Sequence, residues 1–184
     1  IDASQTRKFN NGRGFDPVGN ERDNPFSINP FTGSLDGNNH TITGLNINRS
    51  DNVVGLFGVN EGTIKNIRIA NTTVSGSRTV GALVSRNRGN IISATVAGRV
   101  SGKERVGGLV GNNVGTIQTA RGSVSVNGTD QVGGLVGINF GGVVRNVSVY
   151  GSVTGTGEFS TVGGLVGTNR KDTGSTSSPA IIRD

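Results

Sequence analysis

Through residues 53–169 apolar and polar positions alternate with a period of two, and glycines interrupt the alternation at regular intervals. Val147 and Val149 alternate with Asn146, Ser148 and Tyr150. Ile64, Ile67 and Ile69 form a second set that contains a one-residue slip. Alternation of β-branched residues at strand period predicts half-buried strands. No stretch combines a 3.6-residue period with helix caps, so helix content near zero is expected.

The alternation is itself periodic. Val-Gly-Gly-Leu-Val-Gly-x-Asn occurs as Val106–Asn113, Val132–Asn139 and Val162–Asn169, with looser copies at Val53–Asn60 and Val80–Asn87. The closing asparagines Asn60, Asn87, Asn113, Asn139 and Asn169 lie 27, 26, 26 and 30 residues apart. A fixed period of this size is the signature of a solenoid in which each repeat is one coil. About 26 residues accommodate three short strands and their turns. The expected fold is therefore all-β, a right-handed parallel β-helix of about 26-residue coils, the hand following the general bias of crossover connections. Roughly six or seven coils at strand spacing make a rod about 30 Å long. Alignment of the copies predicts one interior ladder of Leu56, Leu83, Leu109, Leu135 and Leu165 and a second of Val53, Val80, Val106, Val132 and Val162. The repeated asparagines are expected to form an amide ladder at a corner.

The whole chain, 1–184, reads as a single solenoid fragment of something longer. Residues 1–52 are an irregular lead-in with turn signals at Asn10-Asn11-Gly12, Asn24-Pro25 and Asn29-Pro30. Residues 53–169 carry the repeats, and 170–184 form a loose tail in which Ala180-Ile181-Ile182 marks a last strand. The stretches between copies, Thr72–Arg78, Arg99–Arg105, Ser123–Gln131 and Ser152–Thr161, differ in length and polarity. In solenoids such variation maps to one face, the usual place for recognition.

The copies resemble the GLUG motif through Gly55-Leu56-Phe57-Gly58, Gly108-Leu109-Val110-Gly111, Gly134-Leu135-Val136-Gly137 and Gly164-Leu165-Val166-Gly167. Ala82-Leu83-Val84-Ser85 departs from the pattern at both glycines. Phe15-Asp16-Pro17-Val18-Gly19-Asn20 and Phe31 to Ile42 resemble the segment that precedes such repeats, so the likeness covers about residues 15–169. It implies a bacterial secreted or surface protein, most like filamentous-haemagglutinin-type adhesins exported by two-partner secretion. Immunoglobulin A peptidases, in which the repeats are accessory to a zinc protease domain, are the other carriers. The resemblance implies an extracellular role in adhesion and virulence, an outer-membrane transporter during export, and no catalytic residue.

Composition narrows the chemistry further. With no cysteine there is neither a disulfide nor a thiolate metal site. No run of 18 apolar residues exists to span a membrane. The net charge is +6, but Arg68, Arg78, Arg88, Arg99, Arg121 and Arg145 are scattered with few aromatics beside them. They read as solvated strand and turn faces rather than a nucleic-acid site. The single histidine, His40, has no His-Glu-x-x-His context, and a triad with Asp36 or Asp51 lacks a nucleophile elbow. His40 is expected to pack in a lead-in turn. Glu61, Glu104, Asp130 and Glu158 sit singly, although Glu104 and Asp130 are one period apart and are expected to stack as a surface pair. No cofactor, metal or catalytic residue is expected, and the chain is read as a non-enzymatic monomer.

The expected function is a β-helical segment of a surface adhesin that attaches to host or matrix glycans or proteins. The alternatives are an accessory repeat region of a secreted peptidase or glycan-active enzyme, or a structural spacer. The candidate ligand face comprises Arg78, Arg105, Asn127, Asp130, Glu158 and Phe159. Asn39, Asn48, Asn71, Asn127 and Asn146 head Asn-x-Ser/Thr sequons open to glycosylation.

Overall fold

Five stacked coils account for the repeats, each built from strands that pair in parallel with the coils before and after. The structure is a computed structural model that describes residues 1–19 and 29–171, and the backbone of 181–183. The turn expected at Asn24-Pro25 and most of the expected loose tail lie outside the described residues. The first coil contains β1 (Ser34–Asp36), β2 (Thr41–Thr43), β3 (Asn46–Asn48), β4 (Val53–Val54) and β5 (Phe57–Asn60). The second contains β6 (Thr63–Ser75), β7 (Thr79–Gly81) and β8 (Val84–Asn87), and the third β9 (Asn90–Ser101), β10 (Arg105–Gly107) and β11 (Val110–Asn113). The fourth and fifth follow as β12 (Thr116–Gly128), β13 (Gln131–Gly133) and β14 (Val136–Phe140), then β15 (Val143–Gly155), β16 (Thr161–Gly163) and β17 (Val166–Arg170). The expected last strand is present as β18 (Ile181–Arg183), paired with the start of β15.

Three parallel sheets result. The long strands form one, β4, β7, β10, β13 and β16 the second, and β5, β8, β11, β14 and β17 the third. The count of five coils is lower than the six or seven read from chain length. The difference lies in residues 1–19 and 29–31, which form no coil of their own. They attach to the first coil through single bridges, Asp2 with Thr43, Gly14 with Ile47, Val18 with Phe57 and Phe31 with Asn60. Arg49 secures this cap. Its side chain is 7% exposed, donates to the Phe15 carbonyl at 3.0 Å and to Asp51 at 3.1 Å, and lies 3.3 Å from Asp16. The cap thereby occupies the edges of β2, β3 and β5, the places where another chain could otherwise join.

The slip in the alternation is a corner. Asn66, Ser93, Thr119 and Asn146 occupy equivalent positions of the long strands with φ of 53°, 56°, 56° and 53°. One left-handed residue turns the strand and exchanges inward and outward parity. Ile64 and Ile67, three apart, are therefore both buried. Asparagine tolerates this conformation, whereas a β-branched residue is strained in it. Thr119→Asn is thus expected to stabilise the protein by about 1 kcal/mol, read as a rise in calorimetric Tm.

The leucine ladder is present, with Leu83, Leu109 and Leu135 fully buried and Leu56 and Leu165 at the two ends. The valine ladder begins one residue later than the copies suggest. Val54, not Val53, pairs with Val80, followed by Val106, Val132 and Val162. The first copy is one residue shorter at its corner, because Val54 aligns with Val80 while Phe57 aligns with Val84. At the far end Val162 is 48% exposed, and Val124, Val147, Val149, Val153 and Leu165 line an open hollow.

Candidate ligand-binding corner

The asparagine that closes each repeat is buried at the corner between the third sheet and the next long strand. Its amide nitrogen donates to the amide oxygen one coil on, Asn60 to Asn87, Asn87 to Asn113 and Asn113 to Asn139 at 2.8 Å, and Asn139 to Asn169 at 2.9 Å. The same nitrogens also donate to turn carbonyls, at Gly89, Gly115 and Gly142 in the middle coils. From Asn87 to Asn139 each ladder oxygen thus accepts and each ladder nitrogen donates, which suits a group taken from water. This corner is held rigidly at one spacing per coil.

The opposite corner, between the long strand and the second sheet, is free to vary. Backbone bonds stack Ser77 on Asp51, Lys103 on Ser77, Thr129 on Lys103 and Gly157 on Thr129. Gly155 pairs with Gly128 and Thr161 with Gln131, so three of the four extra residues of the longest repeat fall between Gly155 and Thr161; the fourth falls between Asn139 and Val143, which pair with Asn113 and Thr116. Glu158 and Phe159 occupy that insert, and Phe159 is 85% exposed.

Most of the expected ligand face gathers here. Arg78 and Asp130 lie in successive turns with Glu104 between them, Asn127 closes β12 on the adjoining outer surface, and Glu158 and Phe159 extend the edge. From Arg78 to the insert the edge spans three coil steps, about 14 Å. Arg78 donates through Nε to Glu104 at 2.8 Å, and this hydrogen bond holds the Glu104 carboxyl below its ordinary range. Arg105 is displaced from the group. Alternation along β10 puts Val106 toward the core, and Arg105 shares a column with Thr79, Gln131 and Thr161, on the side where Thr161 meets Thr168 of the third sheet at 2.8 Å. The buried oxygens of Thr79, Gln131 and Asn112, which have no hydrogen-bond partner, lie in this seam between the second and third sheets.

The repeated glycines belong to the same seam. A Cβ on Gly107 would meet the Val110 carbonyl, the Gly137 nitrogen at 2.6 Å and the Leu135 carbonyl at 2.9 Å. At the third glycine of the motif the second coil carries Ser85, which fits because its buried hydroxyl donates to the Thr79 carbonyl at 2.6 Å. The departure from the motif is thus a local solution to the same close approach.

His40 is exposed rather than packed. What serves its turn is the backbone, the His40 nitrogen donating to the Gly37 carbonyl at 2.7 Å. Asp36 is engaged by the Asn38 nitrogen, Asn66 and Lys65, which hold its carboxyl below the ordinary range, and Asp51 by Arg13 and Arg49. Neither orients an imidazole. Glu104 and Asp130 occupy neighbouring coils as expected. Among the described residues no three His, Cys, Asp or Glu side chains group as metal ligands, and no helix is long and apolar enough to cross a membrane. The sequon asparagines Asn39, Asn48, Asn71, Asn127 and Asn146 are all exposed, whereas Asn60, Asn87, Asn113 and Asn139 of the ladder are fully buried and head no sequon.

Fold and corner together define a parallel β-solenoid with an internal amide ladder and one variable edge. Comparison with known proteins is consistent with this class. The chain is 41% identical over 107 residues to halomucin of Haloquadratum walsbyi, covering 54% of this chain and 1% of halomucin. It is 38% identical over 91 residues to a protein of Evansella cellulosilytica that carries the name "Putative Gly-rich membrane protein", covering 46% of this chain and 10% of that protein. Among solved structures, a chain named as a "putative immunoglobulin A1 protease" from Bacteroides ovatus superposes with a TM-score of 0.67 at 23% identity, over 76% of this chain and 48% of its own. That likeness concerns the fold. No family model matches the chain.

Proposed function

We propose that the chain is a non-catalytic, rigid segment of a surface-exposed adhesin whose variable corner contacts extracellular glycans or proteins. The observation that carries this reading is the division of labour between corners. The amide ladder holds one to a fixed step, while the other accepts three of the four extra residues of the longest repeat and exposes Phe159 beside Glu158. A large apolar side chain left in water at the tip of an insert is a cost to the free protein that contact with a partner removes. The GLUG-like repeats and the names of the two relatives, one a halomucin and one a membrane protein, support placement at a cell surface. The exposed sequons are sites at which such a protein carries glycans, which the intact mass of the native protein reads directly.

A glycan-array screen at low and high salt tests the proposal, together with the Glu158→Ala/Phe159→Ala variant. Salt-resistant binding by the native chain and a loss of about tenfold or more in the variant, with an unchanged circular dichroism spectrum, are expected. Undiminished binding in the variant would remove the corner from consideration. An array silent for the native chain would leave the accessory role. That reading is supported by the fold shared with the Bacteroides ovatus protein.

A further inference from the structure

The coil register sorts the dispersed arginines into two groups. Arg78 and Arg88 each meet a glutamate one coil away, Glu104 at 2.8 Å and Glu61 at 2.9 Å. Arg68, Arg99 and Arg121 instead stand on the outer face of the long sheet, all exposed, and none is paired with a carboxylate among the described residues. Arg68 and Arg121 share one column, separated by Thr95 and followed by Ser148. They are two coil steps apart, about 9–10 Å. Arg99 lies between Thr73 and Ser125, four residues beyond the Thr95 column, or about 13 Å along the strand. Between these columns runs Ala97–Ser123–Tyr150, and Tyr150 is 75% exposed. Arg145 continues the positive surface across the left-handed corner, where it donates to Gln118 at 2.6 Å.

We propose that this face binds a linear anionic polysaccharide bearing carboxylate or sulfate groups, laid across the coils. Arg68 and Arg121 take successive acidic groups, Arg99 takes a neighbouring one, and Tyr150 lies against a sugar ring. A guanidinium matches carboxylate and sulfate with two parallel hydrogen bonds. No internal carboxylate has to be displaced first, unlike at Arg78 and Arg88. Hydroxyls of Thr95, Ser123, Ser125 and Ser148 supply donors and acceptors for sugar hydroxyls. Nucleic acid fits less well. Single strands are held on rows of stacking aromatics, and this face has one. A broad sheet face also does not enter a duplex groove as a helix or two-stranded ribbon does. The surface and residues differ from those of the variable corner, so the two proposals stand or fall separately.

The test is biolayer interferometry against immobilised dextran sulfate, polygalacturonate and neutral dextran, with oligo-dT as a soluble competitor. Arg68→Gln/Arg121→Gln is compared with Arg88→Gln/Arg170→Gln, which removes the same charge from exposed sites outside both the long-sheet face and the variable corner. The first pair is expected to weaken binding to a polyanion about tenfold or more and the second by about twofold or less. Tyr150→Ala, which changes no charge, is expected to weaken it about threefold or more. Glu158→Ala/Phe159→Ala retains full binding, which separates this result from the corner test. Dextran sulfate and polygalacturonate distinguish sulfate from carboxylate as the group recognised. Equal losses in the two arginine pairs would reduce the effect to net charge and overturn the proposal. So would absence of binding to both polyanions at low salt, or tighter binding to oligo-dT.

Discussion

Asn113→Ala is expected to destabilise the protein by about 3–5 kcal/mol, because it strands one buried acceptor at about 1–3 kcal/mol, removes three hydrogen bonds and leaves a small cavity. The Asn113 oxygen accepts from Asn87, and its nitrogen donates to Asn139 and to the Gly115 carbonyl. Alanine strands the Asn139 oxygen inside the stack, while the Asn87 nitrogen falls back on its longer bonds to the Gly89 carbonyl at 3.2 Å and the Thr116 carbonyl at 3.5 Å. For a chain of this size the loss corresponds to a Tm about 10 °C lower or more. Asn169→Ala, at the exposed end of the same ladder, is expected to cost about 1 kcal/mol or less, since water replaces the lost contact. Chemical denaturation of both variants separates the ladder as a buried network from the ladder as a mere alignment. Equal losses at the two sites would refute the network. Asn113→Asp supplies a second check. A carboxylate there faces the Asn139 oxygen with no proton to donate, so burial and that contact raise its folded-state pKa above the unfolded value. The variant is therefore least stable at neutral pH, and part of the loss is recovered as pH falls through the raised value and the group regains a donor.

Gly107→Ala is the other large effect, about 3 kcal/mol or more, enough to prevent folding in a marginally stable chain. The added methyl would collide with the Val110 carbonyl and two further backbone atoms of the adjoining coil, the Gly137 nitrogen and the Leu135 carbonyl. Flexible side chains yield to such a contact, but paired backbone cannot move without breaking the sheets on both sides. Gly107 pairs with Gly81 and Gly133, so the crowding continues into both neighbouring coils. Gly164→Ala belongs to the same motif, yet a Cβ there meets nothing within 4 Å. It is expected to fold with an unchanged urea midpoint. A Gly107→Ala variant as stable as Gly164→Ala would show that the second and third sheets can separate.

The same geometry makes the motif legible in the sequence. Glycine and asparagine recur because backbone crowding and amide pairing repeat with each coil, and both impose residue type rather than mere polarity. The left-handed corner was visible only as a slip in the alternation at Ile64, Ile67 and Ile69. It is filled by Asn66, Ser93, Thr119 and Asn146, whose types are too mixed to form a motif. Val53 and Val54 are both apolar, so the first copy fits the repeat in either of two registers. Pairing of β4 with β7 resolves the choice by setting Val53 on Thr79 and Val54 on Val80. Arg49 carried no sequence signal. A lone arginine becomes a buried clamp only when Asp16, Asp51 and the Phe15 carbonyl converge on it.

Sequence by itself determined the period, the strand character, the parallel stacking of coils and the asparagine ladder. Each follows from local patterns repeated at one interval, and repetition turns a local rule into a global one. Tertiary structure alone decided how many coils form, where the lead-in caps them, and which exposed side chains share a surface. Arg68 and Arg121 are 53 residues apart in the chain and two coils apart in space, whereas Arg78 lies between them in sequence and is paired with Glu104 at a different corner. Outward positions bear no packing constraint of their own, so they show no motif. Their grouping arises only when the register lays each coil on the last.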